Sequence, residues 1–126
     1  MNLVDSSGWL EYFTEGPNAA FFAPAIENTA ELVVPTIVIY EVFKRVLQQR
    51  GEGAGLRAVA VMQLGSVIDL DSVLALRAAS ISSALKLPMA DSVILATALA
   101  HDATLRTQDA HFDGLDSVRY VLQGNR

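Results

Sequence analysis

Short apolar runs alternate with longer stretches of helical periodicity along this chain. Each run is short enough to be one strand, and the stretches between them are long enough to be crossover helices. Strands joined by such crossovers lie parallel, and the helices then cover both faces of the sheet. We therefore predict an α/β fold with a parallel sheet of five strands, at residues 3–5, 32–34, 67–70, 103–107 and 118–122.

Helix-forming stretches fill the gaps between these strands. Glycine and proline residues mark their ends, and Pro88 is expected at the start of the last helix. Asn18, Thr36, and either Asp71 or Ser72 are predicted to cap the helices that they precede. The predicted helices cover residues 8–14, 18–27, 36–49, 55–64, 72–85 and 88–101.

The composition limits the kinds of site that the chain can form. With 126 residues, 52% of them hydrophobic and only 18% charged, residues 1–126 are expected to form one globular domain. The sequence contains no cysteine, so a metal site must use oxygen ligands, with at most the two histidines in addition. No targeting or membrane-spanning segment is visible, and we expect a cytoplasmic protein. The net charge of −5 does not by itself predict nucleic-acid binding.

Four acidic residues fall where a parallel sheet forms its ligand sites. Asp5 ends the first strand, Glu41 lies early in the helix after the second, Asp91 lies in the first turn of the helix opened by Pro88, and Asp109 follows the fourth strand. Ligands of open parallel sheets bind outside the carboxyl ends of the strands. All four carboxylates can therefore meet at one edge of the sheet.

A group of carboxylates suits hard divalent cations. Mg²⁺ and Mn²⁺ prefer carboxylate and water oxygens. Two such ions about 4 Å apart can activate a water and stabilise both oxygens of an in-line phosphoryl displacement. If the 3′-oxygen is the leaving group, as we expect, hydrolysis leaves a 5′-phosphate and a 3′-hydroxyl. This chemistry does not by itself distinguish RNA from DNA.

Each acid also has a simpler interpretation. Asp5 can cap the following helix, Glu41 can pair with Arg45 one turn later, Asp91 can interact with a helix dipole, and Asp109 can be a turn residue. Against these interpretations, we expect the helix of Glu41 to be mostly buried. Asp91 shares its helical face with an apolar stripe formed by Ile94, Leu95 and Ala98.

The motifs around these acids are similar to those of one known family. The chain resembles PIN-domain proteins, and in particular the VapC-type ribonuclease toxins of bacterial type II toxin–antitoxin pairs. The resemblance covers nearly the whole chain. It is carried by Asp5-Ser6-Ser7, Tyr40-Glu41-Val42, Leu87-Pro88-Met89-Ala90-Asp91 and Thr107-Gln108-Asp109-Ala110-His111-Phe112.

This resemblance implies a three-layer α/β/α sandwich and a Mg²⁺- or Mn²⁺-dependent endoribonuclease. By analogy, the acids at positions 5, 41, 91 and 109 coordinate the metal or position the attacking water. Ser6 and Thr107 would support them through their hydroxyl groups. The expected partners are RNA, a cognate antitoxin that inserts a segment across the site, and a second copy of the chain in a homodimer.

Some further residues have open roles. Lys44 and Arg45 are candidate phosphate contacts at the rim of the site, together with Arg50 and Arg106. His111 is expected mainly to order the loop that carries Asp109. An additional acid at position 113 or 116 is available near the site.

Three other functions compete with the toxin interpretation. A receiver-type signalling domain would use Asp69 as its phosphoacceptor, but an acidic pair after the first strand is missing and Lys86 is the last lysine. A PIN-like domain that binds partners without cutting would be expected to have lost acids, and none is lost. A nuclease that acts on DNA would keep the same carboxylates.

Overall fold

The computed structural model describes residues 1–124 and shows alternating strands and helices. The strands within this range are β1 (Asn2–Val4), β2 (Leu32–Pro35), β3 (Ser66–Ile68), β4 (Thr104–Thr107) and β5 (Val118–Tyr120). The α-helices are α1 (Ser6–Phe13), α2 (Ala19–Glu27), α3 (Thr36–Arg50), α4 (Glu52–Met62), α5 (Ser72–Leu85) and α6 (Met89–Ala100). Two short 3-10 helices lie at Thr29–Glu31 and Ala110–Phe112.

The strands form one parallel sheet in the order β3-β2-β1-β4-β5. All four strand pairings are parallel, and in the centre Leu3 lies opposite Val33 on one side and Leu105 on the other. Helices pack on both faces of the sheet, so the predicted three-layer α/β/α sandwich with a five-stranded parallel sheet is confirmed.

The central strands are buried because helices cover both of their faces. Leu3, Val4, Leu32 and Val34 are fully buried, as expected for strands that read as continuous apolar runs. Trp9 from α1 is also fully buried. Helix α1, which carries Trp9, packs against β1 and β4.

Several predicted helix starts need correction. Helix α1 begins at Ser6, two residues earlier than predicted. Asn18 precedes α2, but its side chain donates to Gln108 Oε1 and to the Leu122 carbonyl and makes no capping bond. Thr36 is the first residue of α3 and Pro35 occupies the cap position. Helix α4 begins at Glu52, three residues earlier than predicted. By contrast, Asp71 caps α5 by accepting from Leu74 N, as predicted.

The strand order reverses next to β1. The chain places β2 and β3 on one side of β1 and then returns to place β4 and β5 on the other side. Such a switch point leaves a crevice at the carboxyl ends of the two adjacent strands, here β1 and β4. The topology therefore provides a site between Val4 and Thr107.

No single helix in residues 1–124 is long and apolar enough to cross a membrane. Helices α5 and α6 reach that length and apolar character only when taken together, and they are bent by 115° relative to each other.

We predict that Gly8→Ala destabilises the protein. A Cβ atom at Gly8 would lie 2.6 Å from side-chain atoms of both Phe22 and Val4, which are fully buried. The overpacking should lower the free energy of unfolding by about 1–3 kcal/mol, measured by chemical denaturation.

Gly53→Ala is the matched control. Gly53 is an exposed helical residue of α4, and its added Cβ would meet only Arg57 Nη1, at 3.4 Å. This variant should be unchanged or up to about 1 kcal/mol more stable, because alanine favours helix. Equal stability of the two variants would contradict the tight packing at Gly8.

Candidate functional site

Asp5 lies at the carboxyl end of β1 and is only 3% exposed. Its Oδ1 accepts hydrogen bonds from Gly8 N at 3.0 Å and from Ser7 Oγ at 2.7 Å. Its Oδ2 accepts from Thr107 Oγ1, at the end of β4, at 2.6 Å. Asp5 thus caps α1, as the simpler interpretation expects, but the same carboxylate also joins β1 to β4.

Burial raises the pKa of Asp5 to about 6. Loss of hydration is the largest cause, and the nearby negative charge of Asp109 adds to it. The hydrogen bonds from Thr107, Ser7 and Gly8 act in the opposite direction and do not cancel the effect. A charged Asp5 is therefore under electrostatic stress that a nearby cation would relieve.

Thr107 connects Asp5 to Asp109. Its hydroxyl donates to Asp5 and accepts from Asp109 N at 2.9 Å. Asp109 also accepts from His111 N through Oδ1, so it begins the short 3-10 helix as a turn residue would. The side chain of Asp109 is 30% exposed and thus accessible from the crevice between β1 and β4.

Asp91 reaches this group from the first turn of α6. Its side chain is 14% exposed, and its Oδ2 lies 2.7 Å from His111 Nδ1. Burial raises the pKa of Asp91, and the charge of Asp109 raises it further, whereas His111 opposes the shift. The two acids in turn raise the pKa of the exposed His111 imidazole.

Glu41 contacts the chain segment that carries Asp5. Its Oε1 accepts from Ser6 Oγ at 2.5 Å. Among residues 1–124, no ion pair joins Glu41 to Arg45, and the i,i+4 pairing is therefore not seen. The expectation that α3 is mostly buried is wrong, because only Val38 and Val42 are buried along it.

The candidate phosphate contacts differ in their availability. Lys44 and Arg45 are exposed in the turn of α3 that follows Glu41, with Lys44 Nζ 5.8 Å from the centre of the Tyr40 ring. Arg106 instead donates from Nε to Asn2 Oδ1 at 2.8 Å.

Asp69, the phosphoacceptor of the receiver-type alternative, is exposed beyond the edge strand β3. In the order of the strands it is remote from the crevice between β1 and β4.

The donor set fits a small divalent cation. Asp91, Asp109 and His111 each offer one ligand atom, and these atoms lie within 4.8 Å of one another. Ligands of one Mg²⁺ lie about 2.1 Å from it and hence at most about 4.2 Å apart, so the cluster is close to the size of one coordination sphere. Burial is the largest cause of the raised pKa of Asp5 and of Asp91, and the charge of Asp109 raises both further.

Sequence reasoning missed two contacts of this site. Ser7 donates to Asp5, but a serine at the second position of a helix gives no signal that separates this role from an ordinary surface serine. His111 was expected mainly to order the Asp109 loop, and its ring contacts both Asp91 and Asp109. In the sequence, only the position of His111 two residues after Asp109 indicated that its ring could lie near the acids.

We predict that the metal-free protein loses stability as the pH rises. Between pH 3.8 and about 6, the folded state binds the Asp5 proton that the unfolded state releases. This one group lowers the free energy of unfolding by about 3 kcal/mol across that range. The raised pKa values of Asp91 and His111 act in the same direction.

Asp5→Asn tests the assignment to Asp5, because it removes the charge and keeps an acceptor for Gly8 and Ser7. Denaturation in EDTA near pH 4 and pH 8 should show a smaller loss of stability for this variant than for the wild type. Asp69→Asn, at an exposed position, should behave as the wild type. Equal pH dependence of all three proteins would be inconsistent with a raised Asp5 pKa.

Comparison with known proteins is consistent with this architecture. No curated protein sequence matches the chain. Among solved structures, a toxin–antitoxin complex from Klebsiella pneumoniae superposes with a TM-score of 0.81 at 22% identity, covering 94% of this chain and 96% of that one. VapC20 from Mycobacterium tuberculosis, described as a sarcin-ricin loop cleaving toxin, has a TM-score of 0.73 at 14% identity and coverages of 94% and 99%. VapBC2 from Rickettsia felis, bound to a fragment of its promoter DNA, gives 0.72 at 14% identity, with coverages of 95% and 96%.

At these identities the structural matches establish the fold. The family is established by sequence, because the PIN domain family matches residues 3–118, which include all four candidate acids. The chain belongs to the PIN-domain family.

Proposed function

We propose that this chain is a metal-dependent endoribonuclease and the toxin of a bacterial type II toxin–antitoxin pair, acting as a single domain in the cytoplasm. The observation that carries the proposal is the convergence of Asp5, Asp91 and Asp109 on the crevice beside β1 of a PIN-domain fold. Three elements that are distant in sequence supply these carboxylates. Capping or turn formation explains each one separately but not their proximity.

Asp5, Asp91 and Asp109 would hold Mg²⁺ or Mn²⁺, with Glu41 completing the group of acids. Ser6 orients Glu41 by a hydrogen bond to Oε1, and Thr107 orients Asp5 and the backbone of Asp109 together. These hydroxyl contacts limit the rotation of the acids, so the carboxylates are held in place before a ligand arrives. When bound, the cation supplies a lowered pKa for the attacking water and stabilises the charge that develops on the phosphate.

The protein residues have the remaining tasks of the reaction. The carboxylates of Asp5, Asp91 and Asp109 would attract a divalent cation to the crevice. Lys44 and Arg45 are exposed one turn beyond Glu41 and can contact the flanking phosphates of a bound strand. This local basic pair partly compensates for the net charge of −5, which otherwise opposes binding of RNA.

The choice of RNA is supported by the likeness to toxin structures. The fold matches VapC20, which is described as cleaving the sarcin-ricin loop, over 94% of this chain. The carboxylates themselves do not exclude DNA, since hydrolysis by an activated water needs no 2′-hydroxyl. Single-stranded DNA is therefore the substrate to compare with RNA in a cleavage assay.

An antitoxin is the proposed protein partner. A groove of about 290 Å³ runs between α1, α3 and α4, with an apolar floor that includes Leu10, Phe13 and Val61. Arg50 and Arg57 lie along it. An apolar segment with acidic residues would complement both features, and toxin–antitoxin complexes from Klebsiella pneumoniae and Rickettsia felis share the fold.

A second copy of the chain is the other proposed partner. Helices α5 and α6 leave large apolar side chains exposed, with Val73 at 57%, Leu76 at 72% and Leu99 at 52%. Apolar side chains grouped in this way are typical of surfaces that a partner covers. We therefore propose a homodimer through this surface.

We predict that the purified protein cleaves a mixed RNA pool with Mn²⁺ or Mg²⁺ and not with EDTA. Asp91→Asn should reduce the cleavage rate by at least about 100-fold, because even residues that only support metal ligands change activity by about 10–100-fold. Asp69→Asn is the matched control, since it removes an exposed acid outside the crevice, and it should cleave at the wild-type rate. Gel electrophoresis of labelled RNA measures the cleavage rate of each variant. Labelled single-stranded DNA is the comparison substrate in the same assay.

The ends of the products test the chemistry separately. Attack by water on phosphorus with departure of the 3′-oxygen would leave a 5′-phosphate and a 3′-hydroxyl, which ligation and phosphatase assays identify. A 2′,3′-cyclic phosphate would mean that the 2′-hydroxyl of the RNA attacked, and it would contradict the proposal. Cleavage that persists in EDTA or in Asp91→Asn, or no RNA cleavage in any condition, would contradict it as well.

A further inference from the structure

Asp91, Asp109 and His111 form a cluster in the crevice, and His111 is its one member that is not an acid. It lies in the 3-10 helix Ala110–Phe112, which the fully buried Phe112 anchors beneath it. The hydrogen bond from His111 N to Asp109 Oδ1 fixes the backbone relative to the acid two residues earlier. The His111 side chain is 58% exposed, and its Nδ1 faces the carboxylates of Asp91 and Asp109.

The spacing of the imidazole from the two acids resembles that of ligands on one ion. His111 Nδ1 lies 2.7 Å from Asp91 Oδ2 and 3.3 Å from Asp109 Oδ1. Adjacent ligands of an octahedral ion with bonds of about 2.1 Å are about 3.0 Å apart. The two observed distances lie on either side of this value, so the nitrogen occupies the position of a third ligand next to two carboxylate oxygens.

We propose that His111 is a direct ligand of the divalent cation, through an imidazole nitrogen, together with Asp91 and Asp109. This inference rests on the proposed function and specifies the metal chemistry of the same site. A mixed oxygen and nitrogen donor set differs from an all-carboxylate set in its metal preference. Both ions bind carboxylate oxygens, but Mn²⁺ accepts an imidazole nitrogen more readily than Mg²⁺ does, so His111 would favour Mn²⁺ over Mg²⁺.

An alternative explanation of the same contact is an ion pair between His111 and the acids that a metal displaces. Removing the ring then frees both acids, and Mn²⁺ and Mg²⁺ should bind equally well or better. If His111 is a ligand, its removal should weaken Mn²⁺ binding by at least about 10-fold and change Mg²⁺ binding much less. The affinities for the two ions therefore separate the two roles.

Pulsed electron paramagnetic resonance of the Mn²⁺-bound protein tests the bond itself. The tag-free protein is prepared with natural-abundance histidine and again with ¹⁵N-histidine. The wild type should show a nitrogen coupling that changes from ¹⁴N to ¹⁵N with the label. His111→Gln should lose it, and His101→Gln, which alters the only other histidine in the chain, should keep it.

Isothermal titration with Mn²⁺ and with Mg²⁺ on the same proteins gives the selectivity. Mn²⁺ binding and RNA cleavage without a histidine nitrogen coupling in the wild type would overturn the role of His111 and leave the proposed function intact. A coupling that survives in His111→Gln would overturn it too. No Mn²⁺ binding by the wild type would overturn both the ligand assignment and the proposed function.

Discussion

The buried carboxylate of Asp5 is the interaction on which the rest of the site depends. It ends the central strand, begins α1, and accepts from Thr107 across to β4, so one side chain joins the three elements around the crevice. Burial in this position raises its pKa to about 6. An asparagine would meet the same local capping need without this electrostatic stress. A charge retained at a structurally unfavourable position indicates a function that needs the charge.

The topology of the sheet explains why the other acids reach Asp5. Because the strand order reverses beside β1, the ends of β1 and β4 border an open crevice, and β4 delivers Asp109 directly into it. Helix α6 packs against β2 and β4 on one face of the sheet. It carries Asp91 in its first turn, where the negative charge also interacts favourably with the helix N-terminus. Glu41 depends instead on one contact, through Ser6, with the segment after β1. Asp5 and Asp109 thus lie at strand ends and Asp91 in a first helical turn, whereas Glu41 lies in the second turn of α3.

The fold and the proximity of Asp5, Asp91 and Asp109 could be predicted because they depend on periodic patterns and on strand ends. The parallel sheet follows from alternating strands and helices, and Asp71 follows from local capping chemistry. Contacts between distant segments could not be predicted in this way. Asn18 bonds to Gln108 and Leu122 instead of its own helix, and the ring of His111 turns toward Asp91, twenty residues away in sequence. The first residue of a helix that follows glycines could not be predicted either, as the start of α4 shows.

The most direct test of the central claim is a crystal structure of the protein with Mn²⁺, with the ion located by its anomalous scattering. We expect a peak in the crevice between β1 and β4, with carboxylate oxygens of at least two of Asp5, Asp91 and Asp109 at bonding distances of about 2.2 Å. A protein that is active with Mn²⁺ but has no peak in that crevice, or has its ion bound elsewhere, would contradict the claim that these acids form the metal site.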